Sequence, residues 1–168
     1  MPAPGPTGTH GRRLVLGVGE RSRHDDGVGP EVVGELDGRV PPEVELVEGV
    51  ADPTNLLDLW DGAELAIVVD AMVSGAPAGS VLRLEDAEIE RASAAHATSS
   101  HGLSVRDAYE LGVSLGRLPA RLLVYLVEAG DLAPGVGLSP AAARAADRVA
   151  SSVEAELRRR PASPVPSA

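Results

Sequence analysis

The strongest constraint on the fold is a short apolar run that passes through two glycines into a helical pattern. Leu14–Leu16 is too short for a helix and consists of the branched residues typical of a buried strand. Gly17 and Gly19 then let the backbone turn sharply, because glycine carries no Cβ. Four apolar residues beyond them share one face of a predicted helix: Val28, Val32, Val33 and Leu36. A strand that leads directly into a helix is typical of α/β proteins.

Four further runs predict the remaining strands: Val44–Val47, Leu65–Val69, Val81–Leu84 and Arg121–Val127. Leu65–Val69 is the most hydrophobic of them, which predicts a central parallel strand that ends at Asp70. Val81–Leu84 has the alternating pattern of an edge strand.

Three helices are predicted after the second strand, over Asn55–Trp60, Gly102–Gly116 and from Ser139 to about Arg158. In the second helix, three residues are expected to face inward: Ala108, Leu111 and Leu115. The last helix has a predicted cap, Ser139, followed by a proline at its first position. Its expected inward residues are Ala142, Ala145, Val149, Val153 and Leu157. Residues 86–100 are rich in alanine and serine and receive no assignment.

The order of these elements predicts a single-domain α/β/α sandwich with a mostly parallel twisted sheet of about five strands. This architecture is similar to flavodoxin and to the phosphorylase/hydrolase folds, and the flavodoxin-like order 2-1-3 makes the first and third strands neighbours. The length of 168 residues suits one domain. We expect residues 1–11 to be a flexible leader, 12–158 to form the domain and 159–168 to be a disordered tail.

The composition narrows the functional classes. The formal net charge of −10 disfavours a nucleic-acid partner. The chain contains no cysteine, which excludes disulfides, zinc–thiolate sites and a cysteine nucleophile. No apolar run reaches the length of about 18 residues that a membrane span needs, and residues 1–11 lack the apolar core of a signal peptide. We therefore expect a cytoplasmic protein with no membrane partner. Because only 2% of residues are aromatic, we see no obvious sticky patch and expect a monomer.

Two acids and one histidine are the candidate functional residues. Asp26 lies where the first strand leads into the first helix, and Asp70 ends the predicted central strand. Because ligands bind at the carboxyl edge of such sheets, we expect these carboxylates to converge there. His101 precedes the predicted helix Gly102–Gly116, and two carboxylates with one imidazole suit a divalent transition metal. Each residue alone also has a structural interpretation: Asp26 as a helix cap, Asp70 as a cap of the loop backbone, and His101 as an ordinary helix-start residue.

Several motifs, in this order, resemble those of the NiFe-hydrogenase maturation endopeptidases. They are Gly17-x-Gly19, Asp25-Asp26-Gly27-Val28-Gly29, Val69-Asp70-Ala71, Ser100-His101-Gly102-Leu103-Ser104 and Gly135-Val136-Gly137-Leu138-Ser139-Pro140. The resemblance covers roughly residues 13–157 in colinear order. Any one motif is weak, but all of them at compatible spacing are specific.

The resemblance implies an endopeptidase that removes a short C-terminal extension from the large-subunit precursor of a NiFe hydrogenase after nickel insertion. Three family residues gather around the nickel, and by their motifs they correspond to Asp26, Asp70 and His101, the implied metal-binding and catalytic residues. The nickel would arrive with the precursor, which is the implied partner. No serine or cysteine nucleophile is implied, and the sequence has no Gly-x-Ser-x-Gly elbow.

Three positions depart from the pattern of this family. Glu20 stands where the family often has Asn, and Asp26 stands where it often has the longer Glu. The Asp-Gly pair that commonly follows the second strand is replaced by Glu48–Pro53, in which Glu48, Asp52 or neither takes its place. These departures leave open a non-catalytic protein that binds the metallated large subunit. A nucleotide-binding α/β enzyme is a second alternative, although the third glycine of its fingerprint is missing.

Overall fold

The computed structural model describes residues 11–93 and 105–159 of the chain. Five strands lie within these ranges: β1 (Arg13–Val18), β2 (Val44–Val50), β3 (Leu65–Met72), β4 (Val81–Glu85) and β5 (Arg121–Glu128). The α-helices there are α1 (Val28–Leu36), α2 (Pro53–Trp60), α3 (Ala87–Ser93), α4 (Val105–Leu115) and α5 (Pro140–Arg158). A short 3₁₀ helix, His24–Gly27, precedes α1. In these two ranges no helix is long and apolar enough to cross a membrane.

The strands form one sheet in the order β2-β1-β3-β5-β4. Neighbouring strands among β2, β1, β3 and β5 are parallel, and β4 pairs antiparallel with β5 at the edge. All of β3 is buried, because it lies in the centre of the sheet and helices cover both faces. The predicted α/β/α sandwich with a mostly parallel five-stranded sheet is confirmed. The neighbouring positions of β1 and β3 and the edge position of β4 are confirmed as well.

Two apolar cores occupy the two faces of the sheet. One contains residues of α1 and α5, and the five inward residues predicted for α5 are all buried. The other contains residues of α2, α3 and α4. It includes Trp60, which is fully buried and donates a hydrogen bond from Nε1 to the Arg117 carbonyl at 2.9 Å. The start of α5 is also as predicted, because the Ser139 side chain accepts a hydrogen bond from the Ala142 amide and Pro140 follows it.

The central strand is longer than the sequence indicated. Asp70 does not end β3, because Ala71 and Met72 continue the parallel pairing with β5. Asp70 itself pairs with Leu126. A polar residue in an apolar run suggested a strand end, but the backbone hydrogen bonds of a ladder do not depend on side-chain polarity. The candidate acid is therefore held within the sheet and not on the loop that follows it.

The inward face predicted for α4 is wrong at two of three positions. Ala108 is buried, but Leu111 and Leu115 are 42% and 56% exposed. The inner face instead consists of Val105, Ala108, Tyr109 and Gly112. Gly112 packs so closely that an added Cβ would lie 2.7 Å from a methyl of Leu118, which fixes the side of the helix that meets the core.

Some predicted boundaries fall on parts of the chain that the structure does not describe. The unassigned stretch 86–100 contains α3, whereas its residues from 94 onward are outside the described ranges. The predicted helix Gly102–Gly116 also begins outside the described ranges. The leader 1–11 and the tail 159–168 stay predictions, since only Gly11 and Arg159 of them are described.

Candidate active site

The structure brings Asp26 and Asp70 together at the carboxyl edge of the sheet. Asp26 lies in the 3₁₀ helix that follows β1, and Asp70 lies in the neighbouring strand β3. Both are buried, with 4% and 9% of their surface exposed, and the charge of Asp26 acts on the Asp70 carboxyl. The turn between β1 and the 3₁₀ helix needs Gly19, whose φ is +112° and whose Cβ would lie 2.0 Å from the Asp26 carbonyl oxygen.

The Asp70 carboxyl is poorly compensated for its burial. Burial raises its pKa, a hydrogen bond from the Ala71 amide to Oδ1 at 2.8 Å lowers it, and the Asp26 charge raises it further. The outcome is a pKa of about 7 for Asp70. A carboxyl of this kind holds its proton at mildly acid pH and gains from a nearby cation, because opposite charge favours its ionised form.

Asp26 is not the N-cap residue of α1, so this structural interpretation is wrong. The N-cap residue is Gly27, which makes no side-chain capping hydrogen bond. The 3₁₀ helix instead places Asp26 beside the turn that follows β1, where its Oδ2 accepts a hydrogen bond from the Glu20 amide at 2.9 Å. The departure from Asn at position 20 leaves this contact intact, because the contact is made by the backbone.

Asp25, which the sequence reasoning did not single out, is the acid that anchors this edge of the fold. It is 1% exposed, and its carboxylate accepts four hydrogen bonds of 2.7–3.0 Å. The donors are the Gly130, Asp131 and Ser139 amides and the Ser139 hydroxyl. Burial raises the pKa of Asp25, but these hydrogen bonds outweigh it, so the pKa lies below its usual range. The only sequence signal was its position beside Asp26.

Glu128 is a second buried acid that the sequence reasoning missed. It is 2% exposed and ends β5. Its carboxylate accepts hydrogen bonds from the Ser74 and Gly75 amides and from the Ser74 hydroxyl, at 2.7–3.1 Å. These contacts hold the loop between β3 and β4 against the end of β5. The apolar run before Glu128 indicated only that this residue follows a buried strand.

The two acids proposed to replace the family's Asp-Gly pair both have structural partners. Glu48 forms an ion pair with Arg21 at 2.9 Å. Asp52 caps α2 by accepting a hydrogen bond from the Thr54 amide at 2.8 Å. Asp52 is therefore a helix cap. Glu48 lies near the carboxyl end of β2, beside the turn that carries Arg21.

Asp70 faces the side of the sheet that α2 and α4 cover. Alternate residues of a strand share a face, and Val68 belongs to the core packed against these helices. The Trp60 hydrogen bond places Arg117, two residues after the end of α4, beside the C-terminal end of α2. Since α2 runs from the end of β2 to the start of β3, the first turn of α4 at Val105 lies nearer the carboxyl edge. His101, four residues earlier, is outside the described residues, so its place in the site stays a prediction.

The described part of the site is an acid pair and not a complete metal centre. Among residues 11–93 and 105–159, no three His, Cys, Asp or Glu side chains are arranged to hold a metal ion. Two buried carboxylates that repel each other suit a cation, and a further nitrogen ligand would complete a set typical of a divalent transition metal.

The chain matches a family model described as "Hydrogenase maturation protease" over residues 30–156. Among curated proteins, the hydrogenase expression/formation protein HupD of Thiocapsa roseopersicina is 31% identical over 121 residues. That alignment covers 71% of this chain and 55% of the relative, so the chain spans little more than half of that relative's length. HupD of Bradyrhizobium diazoefficiens is 29% identical over 152 residues, which cover 89% of this chain and 78% of the relative.

Solved structures with the same fold carry related descriptions. A solution structure of an endopeptidase from Escherichia coli has a TM-score of 0.77 at 30% identity, covering 88% of this chain and 92% of that one. The hydrogenase maturating endopeptidase HybD from E. coli has a TM-score of 0.72 at 26% identity, with the same coverage of both chains.

Proposed function

Because this chain belongs to the hydrogenase maturation protease family, we propose that it is an endopeptidase that trims the C-terminal extension of a NiFe-hydrogenase large-subunit precursor. Cleavage follows nickel insertion, and the protein recognises the nickel that the precursor carries. The residues that contact this nickel are Asp26, Asp70 and His101. The observation that carries the proposal is the buried acid pair Asp26–Asp70 at the carboxyl edge of the sheet.

The acid pair fits a cation that comes with the substrate. In the free protein the Asp26 charge and burial disfavour ionisation of Asp70, whose pKa is about 7. A divalent metal would compensate the negative charge of both carboxylates. A site that needs a cation in turn binds a metallated substrate better than a metal-free one. Carboxylate oxygens and an imidazole nitrogen suit nickel as ligands.

The chain's own residues hold the two carboxylates in fixed orientations. The Ala71 amide directs Oδ1 of Asp70, and the Glu20 amide directs Oδ2 of Asp26. The Ala71 amide belongs to β3, and the Glu20 amide lies two residues after the end of β1. Nickel bound between such groups supplies recognition and can polarise a carbonyl as a Lewis acid. Carboxylates that are already oriented in this way need no rearrangement when the substrate arrives.

The proposal is tested with a matched precursor, prepared with and without nickel, and read by intact mass spectrometry. We expect the protein to remove a C-terminal peptide from the nickel-loaded precursor alone. A stable complex without cleavage would instead favour the non-catalytic binder, which the departures at Glu20 and Glu48 keep open. Neither cleavage nor binding would refute both.

Single substitutions then assign the site. Asp70→Ala and His101→Ala are expected to abolish nickel-dependent processing, while far-UV circular dichroism shows an intact fold. The matched control is Glu43→Ala, an exposed acid directly before β2 at the opposite edge of the sheet, which is expected to process normally. Unchanged cleavage by His101→Ala would remove His101 from the site.

A further inference from the structure

Asp25 is the most buried acid at the carboxyl edge, yet the proposed nickel contacts do not use it. Its carboxylate joins three parts of the chain: the 3₁₀ helix that carries it, the residues after β5, and the first residue before α5. The contacts are short, at 2.7 Å from the Gly130 amide, 3.0 Å from the Asp131 amide, 2.7 Å from the Ser139 amide and 2.8 Å from the Ser139 hydroxyl. The Asp25 amide in turn donates to the Asp131 carbonyl at 2.9 Å.

Neighbouring backbone groups extend this attachment. The His24 amide donates to the Gly135 carbonyl at 2.9 Å, and the Gly135 amide donates to the Ser22 carbonyl at 2.8 Å. His24 Nδ1 lies 2.9 Å from the Gly137 carbonyl oxygen. His24 has φ of +44°, a left-handed conformation that persists in a non-glycine residue only where its surroundings hold it. Residues 22–25 are thus fastened along the loop 130–139.

We propose that Asp25 is a positioning residue, which fastens the 3₁₀ helix to the loop between β5 and α5 and so holds the next residue, Asp26, against Asp70. The inference rests on the proposed function. Asp26 is not the N-cap residue of α1, and its Oδ2 accepts a hydrogen bond from the Glu20 amide, so this amide reports the orientation of Asp26. Release of Asp25 lets the turn rotate, and Asp26 then leaves both Glu20 and Asp70.

The test compares Asp25→Asn with a variant that loses stability elsewhere. Asn is close in size, but its amide nitrogen would face amide donors and cannot accept from them. The control is Val153→Ala, a fully buried residue of α5 in the core on the α1 side. Two readouts are taken: kcat and KM for processing of the nickel-loaded precursor, and hydrogen exchange of the Glu20 amide by NMR.

We expect Asp25→Asn to lower kcat about 10- to 100-fold with KM changed less than about twofold, because a small misplacement of a reacting group costs rate. Protection of the Glu20 amide is expected to fall about tenfold or more. Val153→Ala should show neither effect. Equal effects of the two variants, or an unchanged Glu20 amide in Asp25→Asn, would overturn the proposal.

Ser139→Ala covers the case in which Asp25→Asn does not fold, because it removes one of the four contacts, together with the cap of α5, and leaves the carboxylate in place. It should expose the Glu20 amide more than Val153→Ala does, and an unchanged Glu20 amide would overturn the inference. If the wild-type protein processes no precursor, the proposed function fails, while the Glu20 comparison still decides whether Asp25 positions Asp26.

Discussion

Asp25 and Asp70 are buried acids at the same edge of the sheet, but their surroundings have opposite effects. Around Asp25, four hydrogen bonds from the loop between β5 and α5 outweigh the cost of burial, and the pKa falls. Around Asp70, burial and the charge of Asp26 outweigh one hydrogen bond from Ala71, and the pKa rises to about 7. The first region stabilises the fold in its ionised form, whereas the second holds a charge that the folded protein alone does not compensate. This difference separates a structural acid from a site acid more clearly than burial does.

The largest effect is expected from an acid placed deeper in the same strand. Val68→Asp puts a carboxylate two residues before Asp70, on the same face and fully buried. Burying a carboxyl there without a hydrogen-bond partner costs several kcal/mol even when it is protonated, which is comparable with the stability of a domain this size. We expect no folded protein by circular dichroism, whereas Val68→Ala should fold. A soluble, folded Val68→Asp protein would contradict the idea that only the carboxyl edge tolerates an uncompensated acid.

A smaller loss is expected from removal of the structural acid. Asp25→Ala leaves the Gly130, Asp131 and Ser139 amides without their acceptor, which should lower the free energy of unfolding by about 3 kcal/mol at pH 7. The lowered pKa of Asp25 means that its contribution is present above the usual pKa of an aspartate and is lost as the pH falls through the lowered value.

Urea unfolding of Asp25→Ala at pH 7 and at pH 3 measures this difference. The exposed Glu43→Ala is the control, with an expected change within about 0.5 kcal/mol. A loss in Asp25→Ala that grows towards acid pH would contradict the assignment of Asp25 as an ionised, hydrogen-bonded anchor.

Asp70→Asn should raise the free energy of unfolding, whereas Asp25→Ala should lower it. The raised pKa of Asp70 means that the folded protein holds this proton more tightly than the unfolded chain. The contribution of Asp70 to wild-type stability therefore falls as the pH rises from about 4 to about 7, and the variant does not share that fall. Above pH 7 we expect Asp70→Asn to be about 2–4 kcal/mol more stable and unable to process the precursor. A variant less stable than wild type at pH 8 would reverse our view of this region.

The smallest effect is expected at Glu35 of α1, which is only partly buried. Burial raises the pKa of Glu35, as do the neighbouring charges of Asp147 and Glu31. A quarter of its side chain is exposed, so solvent screens the repulsion. We expect Glu35→Gln to raise stability above pH 5 by less than about 1 kcal/mol in thermal unfolding. A gain as large as that of Asp70→Asn would show that exposure does not set the size of the effect.

The sequence predicted the scaffold well and the contacts of the site only in part. Strand–helix alternation led to the correct order of the first three strands, and apolar runs of β-branched residues indicated which segments are buried on both faces. Asp26 and Asp70 could be paired from topology alone, since β1 and β3 end at the same edge. The partners of Asp25 could not be predicted, because its donors lie more than 100 positions away along the chain. The exposed face of α4 was missed because leucines at helical spacing do not show which glycine packs against the core.

The extension of β3 beyond Asp70 has a consequence for how this architecture can diversify. Two further paired residues, Ala71 and Met72, separate Asp70 from the turn that follows. An insertion or a grafted loop after Gly75 would therefore alter the surface beyond this strand without changing the register of the acid. The turn can therefore change in length while Asp70 keeps its paired position in the sheet.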